Sequence, residues 1–254
     1  MKPVMSQNFF LANLSRDCQE ALDPHLEIIE IRKGQPDERS LWQSEAIYFP
    51  LTGLFSVEMR LADGFSAHLA LLGFRNAICG KHLVDVALPG HARAVVGGYS
   101  LKIPKDRFLE AVATHADLQR RLQDQLIQIT SLIGLVSACN LHHALSKRLA
   151  RWLLFAADIS ATKSFDLTHE ELAHLLGVRR EAVTEAVARL SQSGAVETAR
   201  GRLAVSDPGR LQSLACECHR NWATSQTPPQ FGVSPVRSRS TSPRIGEPMA
   251  ASGM

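Results

Sequence analysis

The segment 168–190 constrains the structure of this chain most strongly, because it reads as two short helices joined by a tight turn. Thr168 and Glu171 match a capping box, in which two side chains satisfy free backbone amides at the start of a helix. Gly177 stands where that helix should end, at a left-handed position that glycine adopts without strain. The second helix repeats apolar residues on one inward face: Val183, Ala186, Val187 and Leu190. The segment therefore predicts a helix-turn-helix, the unit that lays its second helix in the major groove of DNA.

The other face of the second helix carries polar or small side chains, which are suited to meeting base edges. On this face we predict DNA contacts from Arg180, Glu181, Thr184 and Glu185. An ordinary helical hairpin packed on a core is the alternative, since short patterns of this kind also arise by chance.

A short hairpin is predicted directly after the second helix. Gly194 breaks the helix, and the segments 195–198 and 202–205 flank a turn at 199–201. A hairpin in this place is the wing of a winged helix-turn-helix. Arg200 and Arg202 near its tip are predicted to contact phosphates, although a solvated basic turn would have the same composition.

Composition narrows the class of protein. A chain of 254 residues with 45% hydrophobic residues can build one large or two small domains. It contains no apolar run of the roughly 18 to 20 residues that span a bilayer, and its start lacks a secretory apolar segment. The five cysteines form no even disulfide framework, which fits a reducing compartment. Together these features predict a cytoplasmic protein that does not enter a membrane. The net charge of +3 would not by itself indicate nucleic acid.

The first half of the chain reads as short strands separated by turns. Strands at this spacing, punctuated by glycine, predict a small antiparallel barrel or roll. A turn at 62–64 falls within the series. The predicted strands are 27–31, 46–50, 53–59, 67–72, 92–96 and 100–103.

A long amphipathic helix is predicted from about 116 to 139. Its apolar residues follow a heptad pattern that favours pairing with a second copy of the helix in a two-fold dimer. The alternative is a helix packed on its own β-domain. Asn140 at the end of the pattern could fix the register of the pair. The pattern consists of Leu122, Leu126, Ile129, Ile133, Val136 and Asn140.

These elements divide the chain into five parts. The predicted parts are an N-terminal helical lead (1–25), a β-roll sensor domain (26–115), a dimerisation helix (116–140), a winged helix-turn-helix domain (141–222) and a disordered tail (223–254). The tail is rich in proline, serine and arginine, and its arginines could add non-specific affinity for DNA.

This order of parts resembles the Crp/Fnr family of bacterial transcription regulators. The resemblance covers about residues 26–222 and is firmest at 167–184, while 138–140, 148–154 and 215–218 look like a branch without an assigned signal. It implies an α+β fold with a cyclic-nucleotide-binding-like roll. It also implies a homodimer that reads a palindromic site on double-stranded DNA, with RNA polymerase as a further partner if the protein is an activator.

Three positions of the recognition helix are informative when set beside the family pattern. Arg180 and Glu181 coincide with the arginine and glutamate that read base edges, through guanine and cytosine respectively. Glu185 stands where the family commonly has a second arginine, so we expect a half-site that differs from the usual one. Arg179 takes a place often held by serine and is a predicted phosphate contact.

The resemblance also bears on what the roll binds. Family members that bind cyclic AMP use a Gly-Glu-Leu segment and a later arginine. This chain has Gly80 and Arg93 at the corresponding places, but Lys81 replaces the acid that grips the ribose. Gly80 and Arg93 therefore stay candidate ligand-binding residues, whereas cyclic nucleotide binding is disfavoured and no cofactor is assigned.

The cysteines and histidines do not identify a metal or catalytic site in the sequence. The segment 216–219, Cys-Glu-Cys-His, could bind a soft metal or form a redox switch, but no second ligand pair with clear spacing completes a zinc site, and we predict none. His68, His82 and His91 lack the pairing of a cupin-type metalloenzyme, and no catalytic motif appears. We therefore predict a non-enzyme; a ligand-binding adaptor or a cupin-like metalloenzyme without DNA binding is the alternative.

Overall fold

The computed structural model describes residues 3–35, 41, 44–60, 62, 66–79 and 90–220. Gly80, most of the turn predicted at 62–64 and the tail predicted at 223–254 lie outside these residues. The chain begins with two 3-10 turns that enclose two short helices. In order they are Pro3–Gln7, α1 (Phe9–Ala12), α2 (Arg16–Leu22) and Asp23–His25.

Two three-stranded antiparallel sheets form a roll after these helices. One sheet has the order β1-β6-β2 and the other β4-β3-β5. Each of the six predicted strands is present, with small changes at the ends, and the α+β fold with an N-terminal antiparallel roll is confirmed. The strands are β1 (Glu27–Ile31), β2 (Ala46–Pro50), β3 (Leu54–Arg60), β4 (Ser66–Leu72), β5 (Gly90–Val96) and β6 (Gly98–Pro104).

Each sheet contributes to a different core. The first sheet packs against the N-terminal helices and α3 (Lys105–Thr114), where the Phe49 ring lies 5.9 Å from the rings of both Phe10 and Phe108. The second sheet shares one continuous apolar core with the C-terminal part of the chain. The roll and the C-terminal domain are therefore packed together through a shared apolar core.

The long helix α4 (Ala116–His142) packs one face against its own chain. Leu122 and Val136 are each only 5% exposed, and Gln125 exchanges hydrogen bonds of 2.7 and 2.9 Å with the backbone of Ala77. The predicted partner-facing seam is therefore wrong at Leu122 and Val136, which the chain's own core covers. A heptad pattern marks one apolar face but does not say which surface covers it.

A second face of α4 stays uncovered in the single chain. Ile127 is 67% exposed and Leu141 is 92% exposed. Gly134 and Ala138 lie between them on the same side of the helix and are exposed as well. We call these four residues the α4 stripe. Large apolar side chains left in water at this spacing are typical of a surface that pairs with another protein surface.

The C-terminal domain contains the predicted helix-turn-helix and wing, and both are confirmed. The Thr168–Glu171 capping box is formed, and Gly177 ends the first helix at a φ of 63°. The wing hairpin joins a three-stranded sheet of order β7-β9-β8. The elements are α5 (Leu145–Ser160), β7 (Ser164–Phe165), α6 (His169–Leu176), α7 (Arg180–Gln192), β8 (Val196–Ala199), β9 (Arg202–Val205) and α8 (Pro208–Leu214). No helix among the described residues is long and apolar enough to cross a membrane.

Gly73 lies where the roll meets the end of α5. The backbone N–H of the next residue, Phe74, donates to the carbonyl oxygen of Ile159 at 3.1 Å. A Cβ built on Gly73 would lie 2.8 Å or less from the backbone carbonyl of Ile159. The glycine therefore permits an approach of two backbones that no other residue would allow.

Gly73→Ala is expected to lower the free energy of unfolding by about 1–3 kcal/mol, because backbone rather than a flexible side chain must move. Chemical denaturation monitored by tryptophan fluorescence measures the change. Gly209→Ala is the matched control, since its Cβ would meet only the Asp207 carboxylate at an ordinary 3.5 Å. Equal stability of the two variants would show that the roll and α5 do not pack this closely in solution.

Candidate nucleic-acid interface

The helix α7 presents one buried and one exposed face, as its periodicity predicts. Its inward residues Val183, Ala186, Val187 and Leu190 are at most 4% exposed. Of the residues singled out as DNA contacts, Arg180, Glu181, Thr184 and Glu185 are all exposed on the opposite face. Arg179 is exposed at the position before the helix, where its side chain makes no capping hydrogen bond.

The start of α7 and the wing border a common groove. Arg180, Arg200 and Arg202 all line this open cleft of about 560 Å³, together with Thr168 and His169 from the start of α6. The sequence does not show that these arginines lie together, because Arg180 and Arg200 are 20 positions apart and belong to different elements. Three of the predicted arginines thus lie on one concave surface, which we call the arginine groove.

The wing arginines differ in how firmly they are held. The Arg202 Nε donates to the Ser164 hydroxyl at 2.6 Å, and it lies 3.9 Å from a carboxylate oxygen of Asp166. Arg200 is exposed at the turn of the hairpin. Arg202 is therefore oriented by the neighbouring strand, whereas Arg200 reaches outward from the tip.

Thr184 and Glu185 are both engaged within the protein. The Thr184 hydroxyl donates to the Arg180 carbonyl at 3.1 Å and lies 3.0 Å from the His169 Nδ1, which links α7 to the start of α6. The Glu185 carboxylate lies 3.9 Å from Arg189 one turn along the helix. His169 did not stand out in the sequence, although its place directly after the capping threonine puts it beside α7.

The roll holds the first helix of the helix-turn-helix at its capping box. The Lys33 ammonium lies 2.5 Å from the Glu171 carboxylate and donates to the Asp166 carbonyl at 2.6 Å. Burial alone would raise the pKa of Glu171, but hydrogen bonds from Lys33 and Thr168 outweigh it and the pKa is lowered. A residue of the roll therefore stabilises the charge of the carboxylate that starts α6.

Arg93, the candidate ligand-binding arginine, lies at this same junction. Its Nε donates to both carboxylate oxygens of Glu58, at 2.9 and 3.1 Å, and Glu58 is only 4% exposed. The Oε2 of Glu58, one of these two oxygens, also lies 3.5 Å from the His174 Nε2 on α6. Arg93 also lines a cleft of about 360 Å³ shared with Glu171 and Leu175, so it faces the helix-turn-helix.

His68 on β4 lies beside these charged groups. Its Nδ1 is 2.9 Å from the Ser56 hydroxyl, and the side chain keeps only partial exposure. Burial, followed by repulsion from Arg151 on α5 and His174 on α6, lowers the pKa of His68 to about 3. His68 is therefore neutral in the folded protein at neutral pH.

This lowered pKa predicts a loss of stability in mild acid. Below its ordinary pKa of about 6.5, His68 takes up a proton in the unfolded chain but not in the folded one. The free energy of unfolding should therefore fall with decreasing pH, by less than about 1.4 kcal/mol per pH unit since the side chain is not fully enclosed. Denaturant titrations between about pH 6 and 4.5 should give a shallower slope for His68→Gln than for the native chain. The exposed His25→Gln serves as the control, and identical slopes for native and His68→Gln proteins would contradict the assignment.

The structure regroups the residues of the segment 216–219. His219 turns away from the cysteines, and its Nε2 lies 3.1 Å from a carboxylate oxygen of Asp158. Cys216 and Cys218 instead lie beside Cys139 and His143 at the end of α4. The second pair did not stand out in the sequence, although a cysteine and a histidine four residues apart at the end of a predicted helix can lie side by side.

Comparisons with known proteins agree with this arrangement. Residues 147–214 match the family model of the Crp-like helix-turn-helix domain. No curated protein sequence matches the chain.

Solved structures extend the likeness to most of the chain. A protein of the Crp/Fnr family from Eubacterium rectale has a TM-score of 0.61 at 18% identity, covering 80% of this chain and 95% of its own. FixK2 from Bradyrhizobium japonicum gives 0.57 at 15% identity, covering 75% and 98%. The c-di-GMP-responsive regulator CLP from Xanthomonas campestris gives 0.58 at 13% identity, covering 75% and 99%. At these identities the likeness concerns the fold.

Proposed function

We propose that this chain is a transcription regulator of Crp/Fnr type that binds a palindromic DNA site as a homodimer under the control of a signal acting on the roll. Its match to the Crp-like helix-turn-helix domain and the likeness of its fold to Crp/Fnr regulators support this proposal. A regulator of this kind works on the chromosome, so we place it in the cytoplasm. If it activates transcription, RNA polymerase is its further partner.

The observation that carries the DNA-binding proposal is the arginine groove. Arg180 lies at the start of α7, where a recognition helix meets base edges, and Arg200 and Arg202 approach from the wing. Arginine pairs with phosphate and with guanine through the same planar fork of N–H donors. We assign base reading to Arg180 and Glu181, and phosphate contacts to Arg179, Arg200 and Arg202.

Glu185 affects which DNA sequence the recognition helix α7 can bind. A carboxylate in the groove repels phosphates and cannot donate to guanine, but Arg189 lies 3.9 Å away and offsets part of its charge. The Thr184 hydroxyl lies 3.0 Å from the His169 Nδ1 and donates to the Arg180 carbonyl, so it is already engaged within the protein. We propose a half-site that lacks the guanine usually read at the Glu185 position.

The α4 stripe supports the proposed dimer. Ile127 and Leu141 are exposed, and a Cβ added to Gly134 would meet nothing within 4 Å. Small residues at Gly134 and Ala138 let two helices approach closely, while the larger residues on either side fill the contact. A two-fold axis through the stripe pairs two copies of α4 and presents two recognition helices to one face of the DNA.

Control by the roll is proposed to act through the capping box of α6. Lys33 holds Glu171, and Glu58 joins Arg93 on the roll to His174 on α6. A signal that moves β5 or the turn at Lys33 would change the orientation of α6 and so of α7. Cyclic nucleotide is not the favoured signal, because Arg93 already has a carboxylate partner and Lys81 replaces the expected acid.

In vitro selection of DNA by the purified full chain tests this proposal. We expect enrichment of a palindrome whose half-sites are about one helical turn apart, and a steep loss of affinity with added salt. Selection should be repeated with candidate small molecules to detect the signal. Recovery of no palindrome, with weak and salt-insensitive binding, would favour a ligand-binding adaptor or a metalloenzyme.

A further inference from the structure

Four side chains with metal-binding atoms meet at the junction of α4 and the segment after α8. Cys139 lies in the last turn of α4 and His143 follows that helix directly, while Cys216 and Cys218 follow α8. Their ligand atoms all lie within 4.8 Å of one another. The Cys139 and Cys216 sulfurs are 3.6 Å apart, and the Cys218 sulfur is 3.8 Å from the His143 Nδ1.

We propose that these four residues bind one zinc ion in a Cys₃His site. Structural zinc takes four tetrahedral ligands, and cysteine with histidine is its usual set in proteins. Zinc–sulfur bonds of about 2.3 Å place two tetrahedral sulfurs about 3.8 Å apart, which is close to the separations found here. The four donors are thus close enough together for small side-chain movements to bring them around one zinc ion.

The surroundings of the cluster suit zinc rather than a hard cation. Cys139, Cys216 and Cys218 are at most 6% exposed, and thiolate sulfur prefers soft or borderline metals. The His143 Nε2 lies 3.2 Å from the Glu217 carboxylate, so its Nδ1 stays directed toward the thiols. A histidine that donates its other ring N–H to a carboxylate is the common supporting arrangement for a zinc ligand.

The position of the cluster defines what the ion does. The helix α4 ends at His142 and α5 begins at Leu145, so His143 lies in the turn between the proposed dimer helix and the C-terminal domain. The segment 216–218 is the far end of that domain. The zinc ion ties the two together and fixes the angle between α4 and the helix-turn-helix.

Arg148 supports the same junction from the opposite side. It is 9% exposed, and its Nη2 donates to the Leu176 carbonyl at the end of α6 at 2.5 Å. Burial lowers the pKa of Arg148, and the neighbouring Cys139 and Cys216 act in the opposite direction. Its guanidinium therefore offsets part of the negative charge that the thiolates of Cys139 and Cys216 carry when they bind zinc.

Metal analysis of the full chain tests the site. The protein is produced with added zinc and purified under reducing conditions. Its zinc content is then measured by native mass spectrometry of the intact protein and by elemental mass spectrometry. We expect about one zinc ion per chain in the native sequence and almost none in Cys218→Ala and His143→Ala. Cys18→Ala, which removes a buried thiol far from the cluster, should keep its zinc.

A second measurement covers the case in which Cys218→Ala fails to fold. His143 lies in the turn between α4 and α5, so His143→Ala removes one ligand without changing a residue inside either helix. Cobalt(II) bound to the native chain should show the absorption of tetrahedral thiolate coordination, and His143→Ala should change that spectrum. Removal of zinc by a chelator should also lower the thermal midpoint of the native chain.

Three results would overturn the proposal. One is a native chain that takes up no stoichiometric zinc after incubation with the metal under reducing conditions. Another is unchanged zinc content in both Cys218→Ala and His143→Ala. The third is a Cys139–Cys216 disulfide in freshly purified protein, which would make the cluster a redox pair instead.

Discussion

Ile127→Glu is expected to dissociate the proposed dimer and to lower affinity for the proposed palindromic site by about 10²–10⁴-fold, because each half-site must then be bound by a separate chain. Ile127 is 67% exposed in the single chain, so the substitution should leave the fold of the monomer intact. In the dimer, the two-fold axis would bring two buried carboxylates together. Sedimentation measures the oligomeric state, and fluorescence anisotropy measures binding to a full palindrome and to a single half-site.

A charge control separates this effect from simple repulsion of DNA. Ala113→Glu adds the same charge at an exposed position of α3, outside the stripe. It should remain dimeric and bind the palindrome nearly as well as the native chain. The assignment of the stripe fails if Ile127→Glu is as dimeric as Ala113→Glu.

Arg180→Ala is expected to weaken binding at the specific site by about 1–3 kcal/mol, or about 5- to 150-fold, because a bidentate contact with a base is lost. Binding to random DNA should weaken much less, because phosphate contacts from the wing remain. Arg180 is exposed and lies at the start of α7, so the substitution should not disturb the core. Titrations on the selected site and on a scrambled sequence give the two affinities.

Arg107→Ala controls for the removal of one positive charge. Arg107 lies on α3, on the side of the roll away from the arginine groove, and its partner is Glu110 at 3.0 Å. Its loss should change both affinities little. An equal loss on selected and scrambled DNA for Arg180→Ala would show that Arg180 contacts phosphate and does not read bases.

The agreement between sequence and structure is closest where the decisive interactions are local. The Thr168–Glu171 capping box joins residues three positions apart, and Gly177 needs only its own left-handed backbone. The inward face of α7 follows from helical periodicity. Such features depend on neighbours along the chain, so they can be predicted without knowledge of what the rest of the chain packs against.

The assignments that changed all depended on distant contacts. Leu122 and Val136 read as part of a dimer seam, yet the chain's own roll covers them. Arg93 stays a candidate ligand contact of the roll, and the structure adds that it lies beside Glu58 and faces α6. An apolar or charged side chain shows by its chemistry what kind of partner it needs, but several surfaces of one protein can supply that partner.

The residues alone determined that this chain has strands followed by a long helix and a winged helix-turn-helix, because periodicity, caps and turns act over a few positions. Only the tertiary structure decided which face of α4 is free, how Lys33 reaches the capping box of α6, and that Cys139 and His143 meet Cys216 and Cys218. Those contacts join residues far apart in sequence. Their formation depends on how the two cores pack together, which no local pattern records.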